Sequence, residues 1–268
     1  MDILKEENIT NLLDTDFIGK KIISFDSIDS TNTHAKSIGN ESEDGTVIIS
    51  EEQTNGRGRV GRLWHSKKYE GIWMSIILKP DINTIEAPFI TLIVGASVVR
   101  ALNKLGIESY IKWPNDLIIN GKKICGILTE LSAEVDKVNY VVAGIGINVK
   151  SMEFDDEISN VATSIYKEGY KVTRVDIVKN ILEEFESLYK DYIYNGKKES
   201  TLSICRDKSA VIGKKVYAIK GNDKDYVECL DINEEGNLLV KCENEERRGE
   251  QYDDQNRNYG LWKSWTRR

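Results

Sequence analysis

Arg57, Arg59 and Arg62 alternate with Gly56, Gly58 and Gly61 in the stretch GRGRVGR. Guanidinium groups this close repel one another unless an anion or solvent separates them. The glycines let the backbone approach a ligand closely. Such a loop can stay open when empty and order around a polyphosphate, each charge-assisted hydrogen bond contributing ~1.5–3 kcal/mol. Taken alone, the loop reads equally as a solvated turn with incidental arginines. It also fits G-x-G-x-x-G, the pattern of a dinucleotide-binding turn, but that turn must lie between a strand and a helix. The segment after Gly61 is RLWHSKKYEGIWMSIIL, which holds no amphipathic helix of useful length and runs into a strand. No G-x-x-x-x-G-K-[ST] loop occurs either. A nicotinamide cofactor is disfavoured on both counts.

Polar groups flank the loop where a half-buried sheet would not require them. Gln53 lies just ahead of it and Trp64 just behind. Lys112 ends a strand in KWPND, beside Trp113, with Pro114 favouring extended geometry in its predecessor. Asn148 closes GIGIN, whose paired glycines again permit close approach. Each has an ordinary structural reading: Trp64 as core, Lys112 as a surface lysine, Asn148 as a turn former. No Ser-His-Asp or Cys-His arrangement points to a covalent nucleophile. Cys125, Cys205, Cys229 and Cys242 form no C-x-x-C pair, and His34 and His65 fall at no zinc-ligand spacing, so they read as reduced thiols and isolated imidazoles.

These residues need a scaffold, and the pattern supplies one. KKIISFDSI reads as a strand, and Ser30, Thr31 and Asn32 in DSTN are capping residues for a helix behind it. GTVIISEEQ is a second strand leading into the arginine loop, and GIWMSIILK a third, ended by Pro80. Between Phe89 and Leu105 apolar residues recur every three or four positions, predicting a helix with one buried stripe closed by Gly106. YIKWPNDLIINGKKICGILTEL predicts a hairpin turning at Asn120-Gly121, and NYVVAGIGINV one more strand. From Ile177 to Tyr192 the apolar residues line one face of a long helix. From about Asp207 to Gly213 onward, GKKVYAIK, DYVECLDI and GNLLVKC predict short strands of a small β-barrel. The expected architecture is α+β, with a mixed sheet over residues 1–208 and an all-β module over 209–268.

The totals agree with a folded enzyme-sized chain. In 268 residues, 40% are hydrophobic and 30% charged, enough for a substantial core. The net charge of −7 makes general nucleic-acid binding unfavourable, so the basic loop needs a local explanation. No apolar run approaches the ~20 residues of a membrane span, and MDILKEENIT lacks a secretory layout. A cytoplasmic location is expected.

Together DSTN (29–32), EEQTNGRGRVGRLW (51–64), KWPNDL (112–117), KICGILTE (123–130) and GIGINV (144–149) resemble the biotin protein ligase family. The resemblance spans roughly residues 20 to 195, in the family's order and spacing. It implies a catalytic domain with a mixed sheet like that of class II aminoacyl-tRNA synthetases, followed by an SH3-like β-barrel. It implies two substrates, biotin and ATP, with Mg²⁺, and a two-step reaction through biotinyl-5′-AMP. The resemblance assigns Ser30, Thr31, Asn32, Gln53, Arg57, Gly58, Arg59, Lys112 and Gly126 to biotin. It assigns Arg57, Arg59, Arg62, Trp64, Asn115 and Asn148 to ATP or the adenylate. Lys112 and Arg59 would be catalytic, Lys112 beside the biotin carboxylate and Arg59 on a mobile, solvent-facing loop. The implied partner is a biotin carboxyl carrier domain of acetyl-CoA or pyruvate carboxylase, the acceptor of biotin on a lysine.

Departures from the family pattern shape the remaining expectations. Larger members carry an N-terminal winged helix that binds operator DNA; too few residues precede the first strand here, so a monofunctional ligase without specific DNA binding is expected. A homodimer is possible within this reading. Family members usually end in a strand with a GE-S-R-G-like run, whereas RRGEQYDDQNRNYGLWKSWTRR is polar, which leaves the last strand and the packing of Trp262 and Trp265 open. Two other readings stay open: a lipoyl or octanoyl ligase of the same fold, and a non-catalytic biotin or nucleotide sensor.

Overall fold

The computed structural model describes residues 2–220, 223–242 and 265–266. A seven-stranded sheet organises the chain, in the order β1-β2-β3-β7-β6-β5-β4. Its strands are β1 (Ile22–Phe25), β2 (Val47–Ser50), β3 (Gly71–Leu78), β4 (Tyr110–Lys112), β5 (Asp116–Ile119), β6 (Lys122–Glu134) and β7 (Lys137–Asn148). Only β1 and β2 run parallel; every other pairing is antiparallel, so the sheet is mixed as expected. The β5–β6 turn falls at Asn120-Gly121, both at positive φ, as the hairpin signal requires.

All eight residues of β3 are buried, because both faces of the sheet are covered there. Ile72, Met74, Ile76 and Leu78 join the main core with α3 (Phe89–Lys104) and α4 (Arg174–Asn195). On the opposite face Ile48, Ile77 and Val142 pack with Ala35 of α2 (Thr31–Ile38) in a smaller cluster. That short helix covers only part of its face, which leaves a stretch of sheet for a ligand. The Ser30 side chain caps α2 by accepting from the Thr33 N–H, and Thr173 caps α4 by accepting from the Asp176 N–H.

The periodicity of α3 predicts a single buried stripe, yet almost its whole circumference is buried. The sheet lies on one side, while α4 and α5 (Glu199–Asp207) pack on the others. A short α1 (Glu6–Thr10) precedes β1. Arg174, at the start of α4, is fully buried, with one guanidinium nitrogen 2.5 Å from Glu51 and 3.1 Å from the Gly71 carbonyl. Breaking a buried pair of this kind is costly, so it fixes the end of β2 from which Gln53 projects.

After α5 the chain forms a second antiparallel sheet of β8 (Lys215–Lys220), β9 (Asp223–Ile232), β10 (Leu238–Cys242) and β11 (Trp265–Thr266), ordered β10-β9-β8-β11. It docks on the first unit through the Trp113 indole, which donates to the Gly236 carbonyl at 3.1 Å, and through Arg206, which donates to the Ile232 carbonyl. Gly236 needs to be glycine: it has φ +87°, and a Cβ there would meet Leu92 at 2.4 Å. Trp262 and the tail from residue 247, apart from 265–266, lie outside the described residues. The four cysteines are free thiols. Among the described residues no helix is long and apolar enough to cross a membrane.

Candidate active site

A cavity of about 880 Å³ opens on the face of the sheet that α2 leaves uncovered. Its floor comes from alternate residues of two neighbouring strands. Gly126 of β6 pairs with Gly146 of β7, and Gly144 lies two residues further along. Side chains on this floor would collide with its occupants. A Cβ on Gly146 would lie 2.5 Å from Trp64 Nε1, and one on Gly126 2.8 Å from Trp64 Cζ3. One on Gly144 would lie 2.0 Å from Asn32 Oδ1.

One end of the cavity is polar but carries no charge. Gln53 Oε1 accepts from the Thr31 N–H at 2.9 Å and from its hydroxyl at 3.1 Å, while Gln53 Nε2 donates to Ser66 Oγ at 2.8 Å. The Ser75 hydroxyl lies 2.8 Å from Thr31 Oγ1 and 2.6 Å from Asn32 Oδ1, and with a single proton it donates to one at a time. Asn32 Nδ2 donates to the Leu128 carbonyl and to Glu130. Ser30, Thr31, Asn32 and Gln53 therefore form one fixed slot at the N-terminus of α2, in keeping with the sequence pattern.

The arginine loop crosses the cavity. It folds back on itself through an Arg57–Leu63 bridge and a bond from the Gly58 N–H to the Arg62 carbonyl, with a 3₁₀ turn over Arg59–Gly61. Gly61 sits at φ +70°, a conformation that favours glycine. Arg57, Gly58, Arg59 and Arg62 all line the cavity. Arg59 is not solvent-facing, contrary to expectation. Its guanidinium is half-buried and donates to Asn115 Oδ1, and Asn115 in turn donates to the Ile127 carbonyl at 2.9 Å. Burial depresses the Arg59 pKa, with Asp116 opposing and Arg62 reinforcing the shift.

Lys112 does not line the cavity. It pairs with Asp116 across β4 and β5, and burial pushes its ammonium pKa down, Asp116 opposing and Lys123 adding to the effect. The lysine on the cavity wall is Lys123, 2.6 Å from Asp116 and 5.1 Å from the centre of the Trp64 ring. Simple alternation from Gly126 would turn Lys123 to the other face. The β5–β6 register slips in this segment, Leu117 pairing with Cys125 but Ile118 with Lys123, and this bulge re-aims the lysine.

Trp64 and Asn148 line the cavity, and Asn148 Nδ2 donates to the Thr163 carbonyl at 3.2 Å. Trp64 Nε1 is buried without a hydrogen-bond partner among the described residues, a donor available to a ligand. The sequence pattern singles out neither Asp116, Lys123 and the wall formed by Glu153, Phe154, Asp155 and Glu157, all lining the cavity, nor Ser75, which bonds Thr31 and Asn32. His65 reaches that wall, its Nδ1 3.2 Å from Asp155.

Residues 24–148 match the biotin/lipoate A/B protein ligase family. Over 245 residues the chain is 40% identical to the bifunctional ligase/repressor BirA of Bacillus spizizenii, covering 90% of this chain and 75% of that protein. It is 29% identical over 208 residues to the biotin–[acetyl-CoA-carboxylase] ligase of Mycobacterium tuberculosis, covering 74% of this chain and 73% of that one. Among solved structures, the biotin protein ligase of Aquifex aeolicus in complex with biotin and ATP matches with a TM-score of 0.72 at 30% identity, over 84% of this chain and 93% of that one.

Proposed function

The chain belongs to the biotin/lipoate A/B protein ligase family, and from that membership together with the cavity we infer that it is a biotin protein ligase. It activates biotin with ATP, releasing pyrophosphate, and passes the biotinyl group to a lysine of a biotin carboxyl carrier protein. One observation carries this reading: an uncharged hydrogen-bonding slot and a cluster of cations line the same cavity.

Biotin's bicyclic head is a neutral urea with two donors and one acceptor. Ser30, Thr31, Asn32 and Gln53 offer neutral partners for it, where a desolvated charge would add cost without a match. Biotin's carboxylate must approach the α-phosphate, and the two anions repel. Lys123, Arg57, Arg59 and Arg62 line the path between slot and mouth and lower that repulsion as charge builds on the phosphorus. Trp64, Asn115 and Asn148, which line the same cavity, would hold the adenylate. Lys112, across from Asp116 on the neighbouring strand and outside the cavity lining, would act on the site through its field.

Among the described residues no group of three or more His, Cys, Asp or Glu could hold a metal. Magnesium that arrives with ATP needs only one or two carboxylates beside the phosphate oxygens, and Asp116 on the cavity wall fits that demand. The ion would neutralise phosphate charge. The mixed anhydride is itself a strong electrophile, so the carrier lysine can attack it without a covalent enzyme intermediate. A loop ordered over the cavity keeps water from competing.

The finer architecture belongs to the same proposal. The sheet of β8 to β11 is read as part of an SH3-like barrel, with the division between the two units near residues 208 and 209, where Ser209 bridges to Ile111 at the edge of the main sheet. Carriers from acetyl-CoA or pyruvate carboxylase are the proposed acceptors. The test is pyrophosphate release from ATP with biotin and, separately, with lipoate. Release with biotin and not lipoate is expected; release with lipoate alone would make the chain a lipoyl ligase, and tight biotin binding without turnover would make it a sensor.

A further inference from the structure

We propose that Glu130 is a positioning residue that ties the arginine loop to the uncharged slot, holding the Asn32 amide with one carboxylate oxygen and the Arg57 guanidinium with the other. The proposal rests on the biotin ligase reading of the cavity. Glu130 lies on β6, on the same face as Gly126 and Leu128 but outside the cavity lining, and only 17% of its side chain is exposed. Its Oε2 accepts from Asn32 Nδ2 at 3.0 Å. Its Oε1 lies 3.7 Å from Arg57 and 2.8 Å from Lys36 of α2.

This arrangement has two consequences. With both of its bonds directed to Glu130 and the Leu128 carbonyl, the Asn32 amine is committed, so Asn32 must present its oxygen to Ser75. The slot's pattern of donors and acceptors is thereby set by a residue outside the cavity lining. The loop, in turn, gains a second anchor: Arg59 grips Asn115 on the far wall, and Arg57 is drawn to Glu130 on the near one. Burial by itself would raise the Glu130 carboxyl pKa, but the bonds from Lys36 and Asn32 and the charges of Lys36 and Arg57 outweigh it and hold the pKa low. The carboxylate is therefore ionised near neutral pH. Arg57 keeps 47% of its side chain exposed, so the tether is weak enough to release as the adenylate leaves.

The experiment compares the full-length wild type with Glu130→Gln and Lys36→Met, measuring the release rate of pre-formed biotinyl-AMP in a chase and tryptic cleavage after Arg57, Arg59 and Arg62. Glu130→Gln should speed release about two- to fivefold, within the range of a half-exposed ion pair. Biotin affinity should hold, since a glutamine oxygen can still accept from Asn32, and loop cleavage should accelerate. Lys36→Met should leave release and cleavage at wild-type rates. Wild-type behaviour of Glu130→Gln in both assays would overturn the proposal. So would an equal acceleration in Lys36→Met, which would make Glu130 an anchor for α2 alone. A wild type that forms no adenylate would defeat the ligase reading, and the cleavage comparison, which needs no turnover, would still decide the role of Glu130.

Discussion

Replacing Lys123 by methionine separates the lysine on the cavity wall from Lys112, which stands outside the lining. The Lys123 ammonium lies 2.6 Å from Asp116, with 33% of its side chain and 25% of its partner's exposed. An ion pair this accessible contributes at most ~1 kcal/mol to folding. Against the adenylation transition state the same ammonium matters more. At ~4 Å from a unit of developing negative charge, with an effective dielectric of ~20, the attraction is ~4 kcal/mol. Removing one preorganised donor of this kind typically costs ~2.7–4 kcal/mol, or ~10²–10³ in rate. Lys123→Met should therefore lower single-turnover adenylation by ~10²–10³ while Tm and biotin affinity barely move, because the slot around Gln53 is untouched. Lys112→Met, the comparison, should lose less than about tenfold, since Lys112 lies outside the cavity lining with Asp116 opposite it on the next strand. Rapid-quench measurement of biotinyl-AMP formation decides the matter. A loss below about tenfold in Lys123→Met, or an equal loss in Lys112→Met, would refute the placement of the working charge.

Gly144→Ala forces a Cβ to within 2.0 Å of Asn32 Oδ1, in a side chain already held by Glu130, Leu128 and Ser75; it should cost ~1–3 kcal/mol of stability and weaken biotin binding, read by thermal melting and calorimetry. Arg59→Ala and Asn115→Ala break the same clasp. Each should shorten adenylate lifetime with little change in Tm, and the double variant should add little to either, additive effects arguing against the clasp. Glu186 accepts from the N–H groups of Asp16, Phe17 and Ile18 and from Lys190; burial opposes ionisation, but these bonds prevail and hold the folded pKa below the ordinary glutamate value. Its stabilisation is thus complete above that ordinary value, about 4.3, and lost as pH falls through the folded value. Glu186→Gln should be less stable at neutral pH and lose less stability on acidification, and an unchanged acid limb in urea titrations at several pH values would contradict this.

Much of the site can be read from the chain because its chemistry needs consecutive residues. The arginine loop, the DSTN cap and the glycines of GIGIN each depend on local spacing, and the structure brings them to one cavity. Lys123 is hidden because a β-bulge between β5 and β6 inverts the alternation that a strand pattern assumes. Ser75 and Glu130 are hidden for another reason: a polar residue on a strand reads as solvated until the helix across from it is known. The acidic wall from Glu153 to Glu157 likewise reads as an exposed loop, and only the closure of the cavity gives it a neighbour in His65. For α3 the pattern gives the correct span but not its environment, since nothing in a helix's own periodicity reveals that α4 and α5 will cover its polar side.

The mass of a biotin carboxyl carrier domain incubated with this chain, biotin and MgATP bears most directly on whether slot and cations serve one reaction. A gain of one biotinyl group on a single lysine is predicted, requiring all three reagents and nearly abolished by Lys123→Met. No gain with the intact chain, or a gain that persists without ATP, would contradict it.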